Sequence, residues 1–192
     1  MTMISKALGL LGWLKTVSGG RSSWVLGTLL VFWAVEILKY LGFGRLTANG
    51  IRPRNLEGLW GIFYAPFLHA DFGHLIANSV AFVPLALLVS ARKAHHFFSV
   101  TLMVMLCGGA AVWLLGRSAN HIGASGLIFG YLGFLLGAGF FAREFSAVAI
   151  AGVAAFFYGG ILWGVLPGRP GVSWEAHLFG AIAGVIASKI LR

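Results

Sequence analysis

Six stretches of this chain, about residues 24–43, 72–90, 97–115, 125–141, 146–166 and 174–191, run almost unbroken in apolar residues. Charges or Gly/Pro punctuation close off each one. In helical form about 20 such residues cross the hydrocarbon core of a bilayer. The pattern therefore predicts an all-α, polytopic membrane protein, a bundle of six transmembrane helices joined by short connections. Barrel strands would be shorter and would alternate in polarity. Composition agrees: 59% of the residues are hydrophobic and 10% charged, where a soluble domain is nearer a quarter charged. A water-soluble globule is excluded.

The net charge of +9 comes from 14 Lys+Arg against 5 Asp+Glu. It does not point to nucleic acid, whose partners gather their cations on one face. Here they stand singly or in pairs at the edges of apolar runs. With the N-terminus in the cytoplasm, the inner side holds Lys6, Lys15, Arg21, Arg92, Lys93, Arg143, Lys189 and Arg192. The outer side holds Lys39, Arg45, Arg52, Arg54, Arg117 and Arg169. The N-terminal segment and the tight Arg92-Lys93 turn weigh most in positive-inside sorting. Both termini are therefore expected in the cytoplasm, and a bacterial plasma membrane is the expected location.

Residues 1–20 place Ile4, Leu8, Leu11, Leu14 and Val17 at helical spacing with Lys6 and Lys15 among them. This reads as an interfacial amphipathic helix, which leaves 21–192 as the transmembrane domain. The longest connection, 44–71, carries Arg45, Arg52, Arg54, Pro53 and Pro66. It also carries Trp60, Ile62, Phe63, Tyr64 and Phe67, so it is expected to rest in the membrane interface. Pro84 should kink the second helix. Cys107 is the single cysteine, which rules out an intramolecular disulfide.

Polar groups inside a bilayer are costly and usually functional. The second apolar run opens with His74-Leu-Ile-Ala-Asn78, the fourth with Gly123-Ala-Ser125-Gly126, and the sixth with His177-Leu-Phe-Gly180. In a six-span protein with its N-terminus inside, all even-numbered helices enter from the outer face, so these side chains lie at one depth. Ser125 is a candidate nucleophile and His177 a candidate general base, a pairing that needs hydrogen-bond contact. Ser125 also opens a helix, where free N–H groups and the dipole can hold an oxyanion. His74 and Asn78, four apart, share a helix face and can both donate to such an oxyanion.

A conventional acidic third member is not evident. Asp71 is placed to cap the second helix. Glu175 points away from His177 and is expected to serve a cap near Ser173. Glu36 stands three residues before Lys39, the spacing of a local ion pair. A Ser–His dyad is therefore expected. Rival chemistries fail on arithmetic: an aspartyl protease needs two Asp and the chain has one, and the HExxH zinc motif needs a His followed by Glu, which never occurs. No metal site is expected.

At this point three motifs resemble those of the rhomboid family of intramembrane serine proteases. His69-Ala-Asp-Phe-Gly-His74-Leu-Ile-Ala-Asn78 is similar to its H-x4-H-x3-N pattern. Gly123-Ala-Ser125-Gly126 is similar to G-x-S-G, and Ala176-His177-Leu-Phe-Gly180-Ala-Ile-Ala-Gly184 to AH-x2-G-x3-G. The resemblance implies Ser125 as nucleophile, His177 as base, and an oxyanion hole of His74, Asn78 and the Ser125 amide. His69 would support the second-helix motif. It implies a six-helix core with a short fourth helix at a cavity open to the outside. It also implies cleavage of single-pass membrane proteins in or beside their transmembrane segment, without cofactor. Two departures stand out: the first long loop has no Trp-Arg pair, and Phe129 occupies a place where relatives often carry Tyr. The Phe129 ring can still stack on His177.

Plainer readings sit beside these. Gly126, Gly130, Gly133 and Gly137, with Gly180 and Gly184, suit close helix packing in lipid, which would bring Ser125 to His177. His74 and Asn78 could simply cap loop carbonyls, His121 could pack its loop or rim a cavity, and His95 and His96 are expected at the interface. Two other functions are open: a non-catalytic rhomboid-like protein that binds transmembrane helices, and a small transporter or channel. The first sits poorly with the presence of both Ser125 and His177. The second calls for charges along a mid-membrane path, where only Glu36 is found.

Overall fold

The apolar runs fold as helices, and a computed structural model describes residues 21–42, 44–93, 95–142, 144–168 and 170–191. The amphipathic segment expected at 1–20 lies outside the described residues. The long helices are α1 (Arg21–Tyr40), α2 (Phe72–Arg92), α3 (His96–Leu115), α4 (Ser125–Ala142), α5 (Phe145–Tyr158) and α6 (Trp174–Ile190). α3 widens into a π-helical turn over Val104–Gly108. α5 continues as a 3-10 segment, Gly159–Val165, beginning at the Gly159-Gly160 pair that favours neither helix interior nor strand. Five helical segments are long and apolar enough to cross a membrane: Ser22–Tyr40, Phe72–Arg92, His96–Leu115, Ser125–Ala142 and Phe145–Val165. α6 spans 17 residues. The protein is thus all-helical among its described residues, apart from one isolated β-bridge between Ile51 and His121.

Helix starts follow the sequence. Asp71 caps α2 by accepting the His74 N–H at 2.8 Å, as its position predicts. At α6 the cap is Ser173, whose hydroxyl accepts the Ala176 N–H. Glu175, expected to serve that cap, instead turns into the interior. Pro84 lies within α2, which continues to Arg92.

α4 is the axis of the fold. Of its span 61% is buried, against 33% or less for the other four. Tyr131, Phe134 and Leu135 of α4 pack with Phe32 of α1 and Phe82 and Leu85 of α2 in one apolar core. α6 lies against the opposite side through small residues. A methyl on Gly180 would overlap the Gly126 carbonyl oxygen, one on Gly184 the Gly130 carbonyl oxygen, and one on Gly133 the Ala181 carbonyl oxygen. Close approach of this kind is how helices associate in lipid, where no hydrophobic effect draws them together. The glycine stripes thus hold the starts of α4 and α6 side by side.

The 44–71 connection is a chain of short turns, Gly44–Asn49, Leu56–Leu59, Gly61–Tyr64 and Ala65–Phe67. It is stapled to the protein by the Ile51–His121 bridge, by Arg54 donating to the carbonyls of Leu114 and Gly116, and by the Trp113 indole donating to the Asn55 carbonyl. Trp60, Phe63 and Tyr64 face outward, in keeping with a loop at the membrane interface. α5 is the least enclosed span, at 11%, with Phe156 and Phe157 projecting away from the bundle.

Candidate active site

Three segments, far apart in sequence, converge at one end of the α4–α6 contact. The chain reaches α4 through Gly123, whose φ of +117° lies in the left-handed region open to glycine. Its N–H donates to the Ala65 carbonyl at 2.8 Å, which fixes the turn against the first loop. A Cβ at Gly123 would lie 2.8 Å from His74 Cε1, 2.9 Å from His74 Nε2 and 3.7 Å from Asn78 Nδ2. Gly123 is thus needed for both its dihedral and its lack of a side chain. The same distances put the His74 and Asn78 nitrogens beside the turn that delivers Ser125.

The Ser125 hydroxyl meets His177 Nε2 at 2.9 Å, and His177 Nδ1 meets the Gly164 carbonyl at 2.9 Å. A carbonyl only accepts, so Nδ1 carries the proton. Nε2 is left with a lone pair, which accepts from the Ser125 O–H. Phe129, one turn into α4, stacks flat on the imidazole, with ring centroids 4.1 Å apart and planes 5° from parallel. Position, tautomer and plane of the His177 ring are therefore all set. The task that an acidic third member performs in a triad, holding the tautomer, falls here to a backbone oxygen of the 3-10 segment after α5.

His74 is oriented by the same logic. The Ala70 N–H donates to its Nδ1 at 3.4 Å, so the ring proton sits on Nε2, the atom facing Gly123. Asn78 is 5% exposed, and its Nδ2 has no protein partner. A buried amide donor without an acceptor is rare, and this one stands open toward the Ser125 turn. Together with the unpaired N–H groups at the α4 start, the two side chains form a set of donors with no permanent acceptor.

His69 lies behind this set, fully buried, its ring 5.2 Å from that of His74 and 5.6 Å from that of Phe32. Burial, and then the nearby His74, pulls its imidazole down to about 4. It is neutral at physiological pH. His121 is buried as well: its Nε2–H donates to the Arg117 carbonyl at 3.1 Å, and its Nδ1 accepts from the Ser173 hydroxyl at 2.5 Å. Burial lowers its pKa too. It thereby joins the loop before α4 to the cap of α6.

Glu175 is engaged by Arg117 rather than by His177. Its Oε1 accepts the Arg117 N–H at 3.2 Å and its Oε2 pairs with the Arg117 guanidinium at 3.4 Å. Arg117 also donates to the Val172 carbonyl at 2.6 Å. Glu36 pairs with Lys39 at 2.5 Å, as its spacing predicts. His96, expected at the interface, is buried at the far end of the bundle against the Leu191 carbonyl. The Gly164 carbonyl and the His121–Ser173 tie escape sequence reading, the first because a main-chain acceptor carries no residue signature. The Arg117–Glu175 pair had a signal, since a carboxylate in so apolar a chain calls for a cation.

A largely apolar cavity of about 40 Å³ lies beside the start of α4, walled by Gly126, Ile62, Val104, Gly109, Val112 and Gly180. That is room for a water or a small side chain. Among the described residues no group of three or more His, Cys, Asp or Glu could hold a metal ion.

Residues 56–192 match the family described as Rhomboid domain, a stretch that contains every site residue above. Uncharacterized proteins of Mycobacterium bovis and Mycobacterium tuberculosis are each 44% identical over 186 residues, which cover 89% of this chain and 78% of theirs. One from Mycobacterium leprae is 42% identical over 206 aligned positions, covering 100% of this chain and 81% of its own. With the motifs, the helical architecture and this match in agreement, the chain belongs to the rhomboid family of membrane proteins.

Proposed function

We propose that the protein is an intramembrane serine endopeptidase, cutting single-pass membrane proteins in or beside their transmembrane segment with a Ser125–His177 dyad. The observation that carries this is the 2.9 Å contact between Ser125 Oγ and His177 Nε2, with Nδ1 anchored on Gly164. As Ser125 attacks a peptide carbonyl, His177 Nε2 takes the hydroxyl proton and Oγ bonds to the carbon. The charge on the former carbonyl oxygen is held by His74 Nε2–H, Asn78 Nδ2–H and the Ser125 N–H. Collapse of this intermediate breaks the C–N bond, and His177 returns its proton to the leaving amine. Water then repeats the sequence on the acyl-enzyme. General-base action of this kind contributes about 10²–10⁴-fold, and each oxyanion donor about 10²–10³-fold.

In the proposed arrangement α6, about 25 Å long at 1.5 Å per residue, is a sixth crossing, and both termini are cytoplasmic. Ser125, His177, His74 and Asn78 then lie near the outer face of a bacterial plasma membrane, where water can reach the acyl-enzyme. A non-catalytic helix-binding protein is the competing function.

A fluorophosphonate probe applied to the protein in detergent separates the two. The expected result is labelling and substrate cleavage that Ser125→Ala and His177→Ala each abolish. Labelling that survives Ser125→Ala refutes the nucleophile, and an unreactive wild-type protein favours the non-catalytic function. A reporter fused after Arg192 should read cytoplasmic.

A further inference from the structure

A buried ion pair is an expensive feature in a protein set in lipid, and α1 carries one. Glu36 is 1% exposed and Lys39 nearly buried, with Nζ and Oε1 2.5 Å apart. A local pair at i, i+3 would cost less at the surface than here, where both ions leave water. What sets this pair apart is the rest of the Lys39 coordination. Its ammonium also donates to the His69 carbonyl at 3.0 Å and to the Ala70 carbonyl at 2.8 Å. All three of its protons are therefore used, two of them on the loop that leads into α2.

Those two carbonyls belong to consecutive peptide groups, and the first matters most. The carbonyl of His69 and the N–H of Ala70 are opposite ends of one planar amide. Lys39 binds the oxygen end, and the N–H end donates to His74 Nδ1. A cation on the oxygen polarises the amide, makes the N–H a better donor and fixes the plane in which it points. That hydrogen bond in turn keeps the His74 proton on Nε2, facing Gly123 and the Ser125 turn.

We propose that Lys39, held by Glu36, is a positioning residue of the oxyanion site, acting through the His69–Ala70 peptide to orient and polarise the His74 imidazole. This assigns α1, which contributes no motif residue, a part in catalysis. It rests on the reading of His74 as an oxyanion donor. It also gives His69 a second role beside its ring, since its backbone carries the contact.

The test uses the full-length protein in detergent, with a quenched-fluorescent peptide containing one transmembrane segment as the probe substrate, and keeps the buried carboxylate from being left alone. Glu36→Gln/Lys39→Met removes the charges together, and Lys39→Arg retains a cation able to reach the carbonyls. Removing an oxyanion donor outright costs about 10²–10³-fold, and weakening one costs less. The double substitution is expected to lower kcat about tenfold with KM within about twofold, and Lys39→Arg to restore most of the loss. In a His74→Ala background the same double substitution should change kcat less than about twofold, because the group it acts through is gone. Losses that multiply in that background, or a raised KM with kcat unchanged, overturn the proposal. If His74→Ala by itself leaves kcat intact, the oxyanion role of His74 fails first and takes the proposal with it.

Discussion

Alanine at Gly180 tests why Ser125 and His177 meet at all. The added methyl would overlap the Gly126 carbonyl oxygen and lie 3.0 Å from its carbonyl carbon and 3.3 Å from its Cα. These are main-chain atoms of α4, so no side chain can swing aside. Regaining an ordinary C···O approach of about 3.3–3.6 Å requires the starts of α4 and α6 to part by about 1 Å. The 2.9 Å contact between Ser125 Oγ and His177 Nε2 would then open to about 4 Å, beyond hydrogen-bond range. A displacement of about 1 Å at reacting groups costs about 10²-fold, or about 2.7 kcal/mol of barrier. Overpacking adds about 1–3 kcal/mol of instability, which thermal melts monitored by circular dichroism would register separately. Gly126→Ala is the control: its methyl would meet nothing nearer than the Ala176 carbonyl oxygen, at 3.5 Å, an ordinary contact. The assay is the second-order rate of fluorophosphonate labelling for each protein at a temperature where both are folded. Gly180→Ala should label about 10²-fold more slowly and Gly126→Ala within a few-fold of wild type. Equal rates for the two variants would refute the packing argument.

Asn78→Ala should reduce kcat by about 10²-fold yet leave measurable cleavage, since other donors remain; complete loss in a folded protein would assign Asn78 a larger part. Phe129→Ala removes the ring stacked on His177, a contact worth about 1 kcal/mol, and should lower kcat several-fold with KM unchanged. Ser173→Ala should cost about 1 kcal/mol of stability through the lost α6 cap, and Ser173→Thr, which keeps a hydroxyl for both the cap and His121 Nδ1, should recover it, read in both cases from melting temperatures. Stability should also fall on acidification through His69. Its pKa of about 4 in the folded protein lies below the 6.5 of an exposed histidine, so below pH 6.5 the unfolded chain binds the extra proton. The contribution is complete above pH 6.5 and is lost as pH drops toward 4, about 3 kcal/mol in all. His69→Phe should flatten that part of the pH–stability curve, and an unchanged slope would dismiss the assignment.

Much of the architecture is legible in the residues because lipid leaves few choices. The apolar runs end where the long helices end to within a few residues, except that the fifth run to 166 leaves the α-helix at Tyr158 and continues as the 3-10 segment; the Asp71 cap and the Glu36–Lys39 pair follow from spacing, and the Phe129–His177 stack from the resemblance. Three motifs also place the site on the starts of α2, α4 and α6. What stays hidden is what one loop does to another. The pairing of Arg117 with Glu175, 58 positions apart, and of His121 with Ser173, 52 apart, depends on how two connections stack. No periodicity records such stacking. The π turn of α3 and the 3-10 continuation of α5 likewise arise from packing rather than propensity.

The acceptor on His177 Nδ1 is a peptide oxygen, and this has a consequence for how the protein can be switched off. A carboxylate in that place could be disabled by a proton or by a single substitution. The oxygen of Gly164 stays unprotonated across the physiological range, but the residue that carries it is not free to change: a Cβ there would lie 2.9 Å from Phe129 Cζ and 3.1 Å from His177 Nδ1, crowding the imidazole that the oxygen holds. Without such crowding, the contact is lost if the 3-10 segment carrying the oxygen moves. That segment closes the least enclosed span of the bundle, with Trp163 turned outward, so the imidazole's alignment is tied to the posture of the wall most open to the surrounding lipid.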